Sequence, residues 1–191
     1  DVGAHYGYFS MFAAANLAPD AAVFSFEPSG KNFAVLQQNI KKSGFANIRA
    51  RHCAIGGESG KSRLFLGDSV NNSILSDFAM NRANSASEEI EVKTLQQVLD
   101  ENSIAKVDFL KLDCEGAEYA ILQTAPPEVL DKIETISMEF HDMKNAGETG
   151  EEIVAILLKN KFEIVKYHYN KTSQGINYGK IIGTKILAKY R

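Results

Sequence analysis

Apolar runs of strand length alternate with helix-like segments along most of this chain, and several of the runs stop at a glycine or an acidic residue. That order constrains the fold more than any other feature. Strand, crossover helix and strand again build a parallel sheet with helices packed on its faces. In such sheets ligands bind at the carboxyl ends of the strands, near the point where strand order reverses. What each run ends in is therefore the informative question.

The pattern opens with "DVGAHYG" (residues 1–7), a glycine turn that leads directly into "YFSMFAAANLA" (residues 8–18), which reads as a buried helix stopped by Pro19. "AVFSFEP" is a strand closed by Pro28. Phe33, Leu36 and Ile40 give helical spacing up to the stop at Gly44, and "NIRARHCAIGG" is the next strand and its glycine turn. The middle breaks the pattern. "GKSRLFLG" and "EEIEVKTL" read as short strands on either side of a polar stretch at residues 68–87, rich in Asn and Ser. That stretch reads as a long surface loop of the kind that shapes substrate pockets. Thr94 is placed to cap the helix "TLQQVLDEN". The alternation then resumes with the strand "KVDFLKLDCEG", the helix "AEYAILQTA" and the strand "ETISMEFHD". A helix with Ile153, Leu157 and Leu158 on one face follows. "FEIVKYHYN" and "GKIIGTKILAKY" then form an expected antiparallel pair at the end of the sheet.

With 45% apolar and 24% charged residues over 191 positions, the chain is expected to be a single domain, residues 1–191, with a real core. A net charge of −3 argues against a nucleic-acid partner. Cys53 and Cys114 lie in no C-x-x-C pair and make no disulfide framework, so both are expected to be reduced and buried, in a cytoplasmic setting. No apolar run reaches the roughly 18 residues of a membrane span.

The strand ends carry the chemistry. Gly3 and Gly7 allow close backbone approach and positive φ, but their G-x-x-x-G spacing matches neither the dinucleotide fingerprint nor the P-loop. Asp1 would repel a phosphate and suits an ammonium or sulfonium group. A tight turn that holds no ligand is the alternative. Glu27, about twenty residues on, stands where doubly wound folds place an acidic residue on ribose hydroxyls. The small and apolar end "CAIGG" suits a flat ring, or is a plain buried strand end. At "DCEGAE", Asp113 and Glu115 sit at the strand exit, and Asp113 is the one expected to face the site. Glu118 is either a site residue or a charge that favours a helix N-terminus. Glu139 and His141, two apart, share one face: a base with its orienting partner, two metal ligands, or a histidine without a role.

Taken together, "DVGAHYGYFS", "FSFEP", "CAIG", "TLQQVL", "FLKLDCEGAEYAIL" and "ISMEFH" resemble the FkbM family of S-adenosylmethionine-dependent methyltransferases, over residues 1 to about 142. The resemblance implies a Rossmann-like class I α/β fold with a seven-stranded, mostly parallel sheet whose last strand is antiparallel. It implies methyl transfer mainly to hydroxyl oxygen. Asp1, Gly3 and Gly7 would line the methionine part of the cofactor and Glu27 would hold its ribose. Ala54 and Ile55 would flank adenine, Asp113 would sit beside the methionine and the transferred methyl, and Glu139 and His141 would face the acceptor. Such enzymes carry a full apolar strand before the first turn. The chain is therefore expected to be an N-terminally incomplete excerpt.

The expected mechanism has His141 take a proton from the acceptor hydroxyl, oriented by Glu139 or helped by Asp113. A variant adds Mg²⁺ on Asp113 and Glu139, although no resident metal is expected. The expected partner is a small-molecule or carbohydrate acceptor, for which the polar loop at 68–87 favours a sugar. Three rivals remain: a nicotinamide-dependent oxidoreductase, a non-catalytic domain that binds S-adenosylmethionine or a partner protein, and a nucleic-acid methyltransferase. The glycine spacing and the absence of Tyr-x-x-x-Lys on a helix oppose the first. The acidic strand ends oppose the second. "DCEG" in place of Asn-Pro-Pro-aromatic opposes the third.

Overall fold

A computed structural model describes residues 1–18, 20–65, 87–142, 149–171 and 177–185. The polar stretch expected to shape the acceptor pocket thus lies outside the described residues, apart from Ser87. Six helices and nine strands are defined among those residues. In chain order they are α1 (Tyr8–Asn16), β1 (Val23–Phe26), α2 (Gly30–Ser43), β2 (Ile48–Arg51), β3 (Ala54–Gly56), β4 (Gly60–Phe65), β5 (Ser87–Thr94) and α3 (Leu95–Glu101). Then come β6 (Val107–Leu112), α4 (Glu118–Thr124), α5 (Pro127–Leu130), β7 (Ile133–Asp142), α6 (Gly150–Lys159), β8 (Phe162–Lys171) and β9 (Asn177–Lys185).

The main sheet is built from two blocks. β1 and β2 pair in parallel. β6 pairs in parallel with β7, and β9 runs antiparallel between β7 and β8. Val2 joins the blocks, bridging Phe26 on one side and Leu112 on the other in parallel sense. Its amide donates to Lys111 O at 3.0 Å and its carbonyl accepts from the Asp113 amide at 3.1 Å. On the other side the Phe26 amide donates to Asp1 O at 2.9 Å, and the Gly3 amide donates back to Phe26 O at 3.0 Å. The architecture is Rossmann-like α/β with an antiparallel strand inserted at one end. The expected seven-stranded sheet with a shortened first strand is met in part: six strands are defined among the described residues, and residues 1–3 occupy the central position with a single bridging residue.

"CAIGG" also departs from expectation. The chain bends at His52 and Cys53, and β3 leaves the main sheet to pair with β5 in a separate three-stranded sheet, β3-β5-β4. The bend is held by His52, whose ring stacks on Phe33 at 5.0 Å and whose Nε2 lies 2.9 Å from Pro28 O. α3 begins at Thr94 as expected, and Gln97 completes a capping box: the Gln97 amide donates to Thr94 Oγ1, and the Thr94 amide donates to the Gln97 side chain.

The core lies between the main sheet and its helices, around Leu112, Tyr119, Ile121, Ile136, Phe140 and Leu157. Each such side chain contributes about 1.5–3 kcal/mol by leaving water. Two expectations about helix faces fail. In α6, Ile153 and Leu157 are buried while Leu158 is exposed. α1 is not a buried helix: Tyr8 and Phe12 are 72% and 66% exposed, and the face turned inward carries Ser10 and Ala14. Ser10 is buried because it is partnered. It donates to Asp1 Oδ2 at 2.6 Å and accepts from Ser25 Oγ at 2.8 Å. Among the described residues no helix is long and apolar enough to cross a membrane.

Candidate active site

The first turn reverses direction within seven residues by using left-handed backbone three times, at Gly3 (φ 75°), His5 (φ 52°) and Gly7 (φ 84°). Gly3 is indispensable on space as well as conformation, because a Cβ there would lie 1.8 Å from Asp113 O. The glycine turn and the acidic turn after β6 are thus pressed backbone to backbone. Between them, and at the carboxyl ends of β1 and β7, opens a cavity of about 360 Å³, a size typical of small-ligand sites.

Of the expected residues, Gly3, Glu27, Ala54, Ile55, Asp113 and Glu139 line this cavity. Glu27 is 4% exposed and firmly aimed. Its Oε2 accepts from the His5 amide at 2.7 Å, and its Oε1 accepts from the Ser29 amide at 2.9 Å and from Asn32 Nδ2 at 3.4 Å. Burial raises its pKa, and these donors oppose the rise. Ala54 and Ile55 form an apolar wall together with Cys53 and Leu64. Burial pushes the Cys53 thiol up to about 11 and the half-buried Cys114 thiol well up, the latter with help from Glu118. Neither thiol is therefore a nucleophile at neutral pH.

Asp1, Gly7 and His141 stand outside the cavity wall. Asp1 is sealed beneath the turn, where Lys111 Nζ donates to its Oδ1 at 3.2 Å. Gly7 is the N-cap of α1, packed where a Cβ would fall 2.4 Å from Leu36 Cδ1. His141 lies behind two carboxylates, its Nε2 3.7 Å from Glu115 Oε2 and 4.0 Å from Glu139 Oε1.

Two members of the site are not apparent in the sequence. Lys111 bridges Asp1 and Asp113, 3.2 Å from each. The lysine thus neutralises the two carboxylates expected nearest a cationic ligand, a pairing only tertiary structure reveals. The other is Glu115. Asp113 is the residue expected to face the site, but β6 ends at Leu112 and Glu115 adopts φ 54°. Both carboxylates consequently line the cavity. Glu118 is a structural residue. Fully buried, it accepts from the Cys114 amide at 2.9 Å and the Gly116 amide at 2.8 Å, which locks the turn. Among the described residues no group of three His, Cys, Asp or Glu side chains is set to hold a metal ion.

The cavity therefore has a polar anchor at Glu27, an apolar slot at Ala54 and Ile55, and an acidic far end at Asp113, Glu115 and Glu139. It suits an elongated ligand with hydroxyls at one end, a flat ring beside them and a positive centre at the other end.

Comparison with known proteins points the same way. The profile of the FkbM methyltransferase domain matches residues 1–164. "Methyltransferase 1" of Beauveria bassiana is 25% identical over 171 residues, covering 81% of this chain and 68% of that protein. "AMB antimetabolite synthetase AmbE" of Pseudomonas aeruginosa is 25% identical over 205 residues, covering 86% of this chain and 9% of the synthetase. The chain thus spans about two thirds of one relative and a small part of the other. Among solved structures, the N-terminal domain of EvdMO1, determined in the presence of SAH and D-fucose, shares the fold. Its TM-score is 0.53 at 12% identity, over 97% of this chain and 74% of that one.

Proposed function

This chain belongs to the FkbM methyltransferase family, and from that premise we propose that it methylates a hydroxyl oxygen of a small molecule or carbohydrate. The cofactor is S-adenosylmethionine. Bound in the cavity, it supplies a methyl carbon already activated by a sulfonium. The protein's task is then to hold the acceptor in line and to remove its proton.

The observation that carries this reading is the cavity itself, with a carboxylate anchored by two backbone amides at one end and three carboxylates at the other. Glu27 takes the ribose hydroxyls with the lone pairs its backbone donors leave over. Ala54 and Ile55 flank the adenine. Gly3, by lacking a side chain, lets the methionine portion pass beside Asp113. Asp1 and Gly7 act from behind the wall: Asp1 ties Lys111 and Ser10 beneath the turn, and Gly7 starts α1 at the right angle. Glu139 and His141 belong to the acceptor end, where the proton leaves. The alternative is a non-catalytic domain that binds the same ligand or a partner protein.

Calorimetric titration with S-adenosylmethionine and NAD⁺ tests the reading. Binding of S-adenosylmethionine alone is expected, weakened roughly 10- to 100-fold in Glu27→Ala by loss of charge-assisted hydrogen bonds. A folded protein that binds NAD⁺, or neither ligand, would overturn it.

A further inference from the structure

We infer that Asp1, although sealed from the cavity, sets how the site holds the cofactor's methionine end: it draws the charge of Lys111 to itself and so leaves Asp113 a negative charge for the ligand's ammonium. This deepens the methyltransferase reading and rests on it. Asp1 and Lys111 are positioning residues, and Asp113 is the one that meets the ligand.

The Asp1 side chain is 0% exposed. Ser10 Oγ donates to its Oδ2 at 2.6 Å, and Lys111 Nζ donates to its Oδ1 at 3.2 Å. The same Nζ lies 3.2 Å from Asp113 Oδ2. Asp113 is 39% exposed and lines the cavity, which neither Asp1 nor Lys111 does. A ligand in the cavity therefore meets this triad through Asp113. The lysine is held in its place between the two carboxylates. Its ammonium is 3.5 Å from Gly3 O and 5.9 Å from the centre of the Phe9 ring. Phe9 in turn stacks on Phe109, two residues before Lys111 on the same face of β6.

Burial decides how the lysine's charge is shared. A carboxylate taken out of water is costly unless a cation pairs with it. Asp1 has no water to turn to, whereas Asp113 has. One lysine facing two carboxylates leaves one negative charge over, and the difference in burial puts it on Asp113. The Asp1 amino group does not enter the count. Burial first, then Lys111, lower it to about 5, so it is uncharged near neutral pH, and it donates to Phe24 O at 2.8 Å. Glu115 and Glu139 line the same end of the cavity, with Lys180 3.0 Å from Glu139. Asp113 differs from them in lying against Gly3, whose missing side chain opens the way for the methionine portion.

The test compares S-adenosylhomocysteine with 5′-methylthioadenosine, which has the same nucleoside and thioether but no amino-acid end. Both affinities are measured by calorimetry near neutral pH. In Asp1→Asn the new side chain still offers Ser10 an oxygen but gives Lys111 no charge, so the lysine turns wholly to Asp113. S-adenosylhomocysteine is expected to bind on the order of tenfold more weakly, with 5′-methylthioadenosine unchanged. Adding Lys111→Met removes the lysine, frees Asp113 and is expected to restore the wild-type ratio of the two affinities. A merely structural Asp1 would weaken both ligands and would not be rescued by a second substitution beside it. The double variant leaves no buried charge without its partner, so it is decisive even if the Asp1→Asn protein does not fold: a ratio below that of the wild type would overturn the inference. An unchanged ratio in Asp1→Asn would overturn it too, and would move the ammonium to Glu115 or Glu139. If the wild type binds neither ligand, the methyltransferase reading falls and takes this inference with it.

Discussion

Two turns face each other across the site, and they solve the same backbone problem in opposite ways. The turn at residues 1–7 uses glycine at two of its three left-handed positions, and one of those glycines sits against the backbone of the other turn. The turn after β6 also goes left-handed, but it places a glutamate there first and a glycine only second. Glycine gives close approach and no chemistry; glutamate accepts strain and presents a carboxylate. The first turn therefore leaves space at the cavity, and the second lines it with carboxylates.

The largest effect that would break this comparison is expected at Gly3. Gly3→Ala combines φ 75° with a Cβ only 1.8 Å from Asp113 O, so the two turns must separate. Loss of more than about 4 kcal/mol is expected in denaturant unfolding, the range of severe core disruption. Gly44→Ala is the control. It has nearly the same φ, 74°, with nothing within 4 Å of its Cβ, and about 1–2 kcal/mol is expected there.

Next comes the pH dependence of the acidic turn. Folded Glu115 keeps its proton up to about 7, whereas its ordinary value is 4.5. Between those values the native state binds more protons than the unfolded state. Its contribution to stability is therefore full below the lower value and declines as pH rises through the window. Glu115→Gln is expected to abolish that decline and raise stability at pH 8 by on the order of 2 kcal/mol, read from urea midpoints at pH 5 and pH 8. Unchanged pH dependence would mean that the carboxyl is not desolvated.

A smaller change separates strain from charge. At low pH, where the carboxyl is neutral, Glu115→Gly is expected to stabilise by about 0.5–1 kcal/mol by relieving the left-handed side chain. Destabilisation would show that the two turns do not differ in strain. The smallest effect is expected outside the comparison, on the exposed face of α1. Phe12→Ser should change stability by less than about 0.5 kcal/mol, since the ring is 66% exposed.

What was legible in the sequence followed local rules. Thr94 and Gln97 signal a helix start within four residues, and Glu27 and Asp113 stand at strand ends where an α/β sheet binds ligands. What was not legible depended on partners distant in sequence or on a change of backbone region. Glu115 escaped because a left-handed backbone step decides where it points, and that step lies beyond β6, which stops three residues earlier. β3 left the main sheet because His52 stacks on Phe33, a contact between segments 19 positions apart. α1 turned its aromatic residues outward because Ser10 is claimed by Asp1 and Ser25, a polar tie that a count of apolar residues does not register. Asp1 itself is spoken for by Lys111, 110 positions away.

The bridge at Val2 gives the molecule a seam. Backbone hydrogen bonds from residues 1–3 reach Phe26 on one side, and Lys111 and Asp113 on the other. If this seam parts, the glycine turn and the acidic turn lose their registry in the same event. A ligand seated across both turns acts as a clasp, linking site occupancy to the joining of the two sheet blocks. Amide hydrogen exchange at Phe26 and Asp113, whose N–H groups point into the sheet and not into the cavity, should then slow on binding, as remote reporters of a closed clasp.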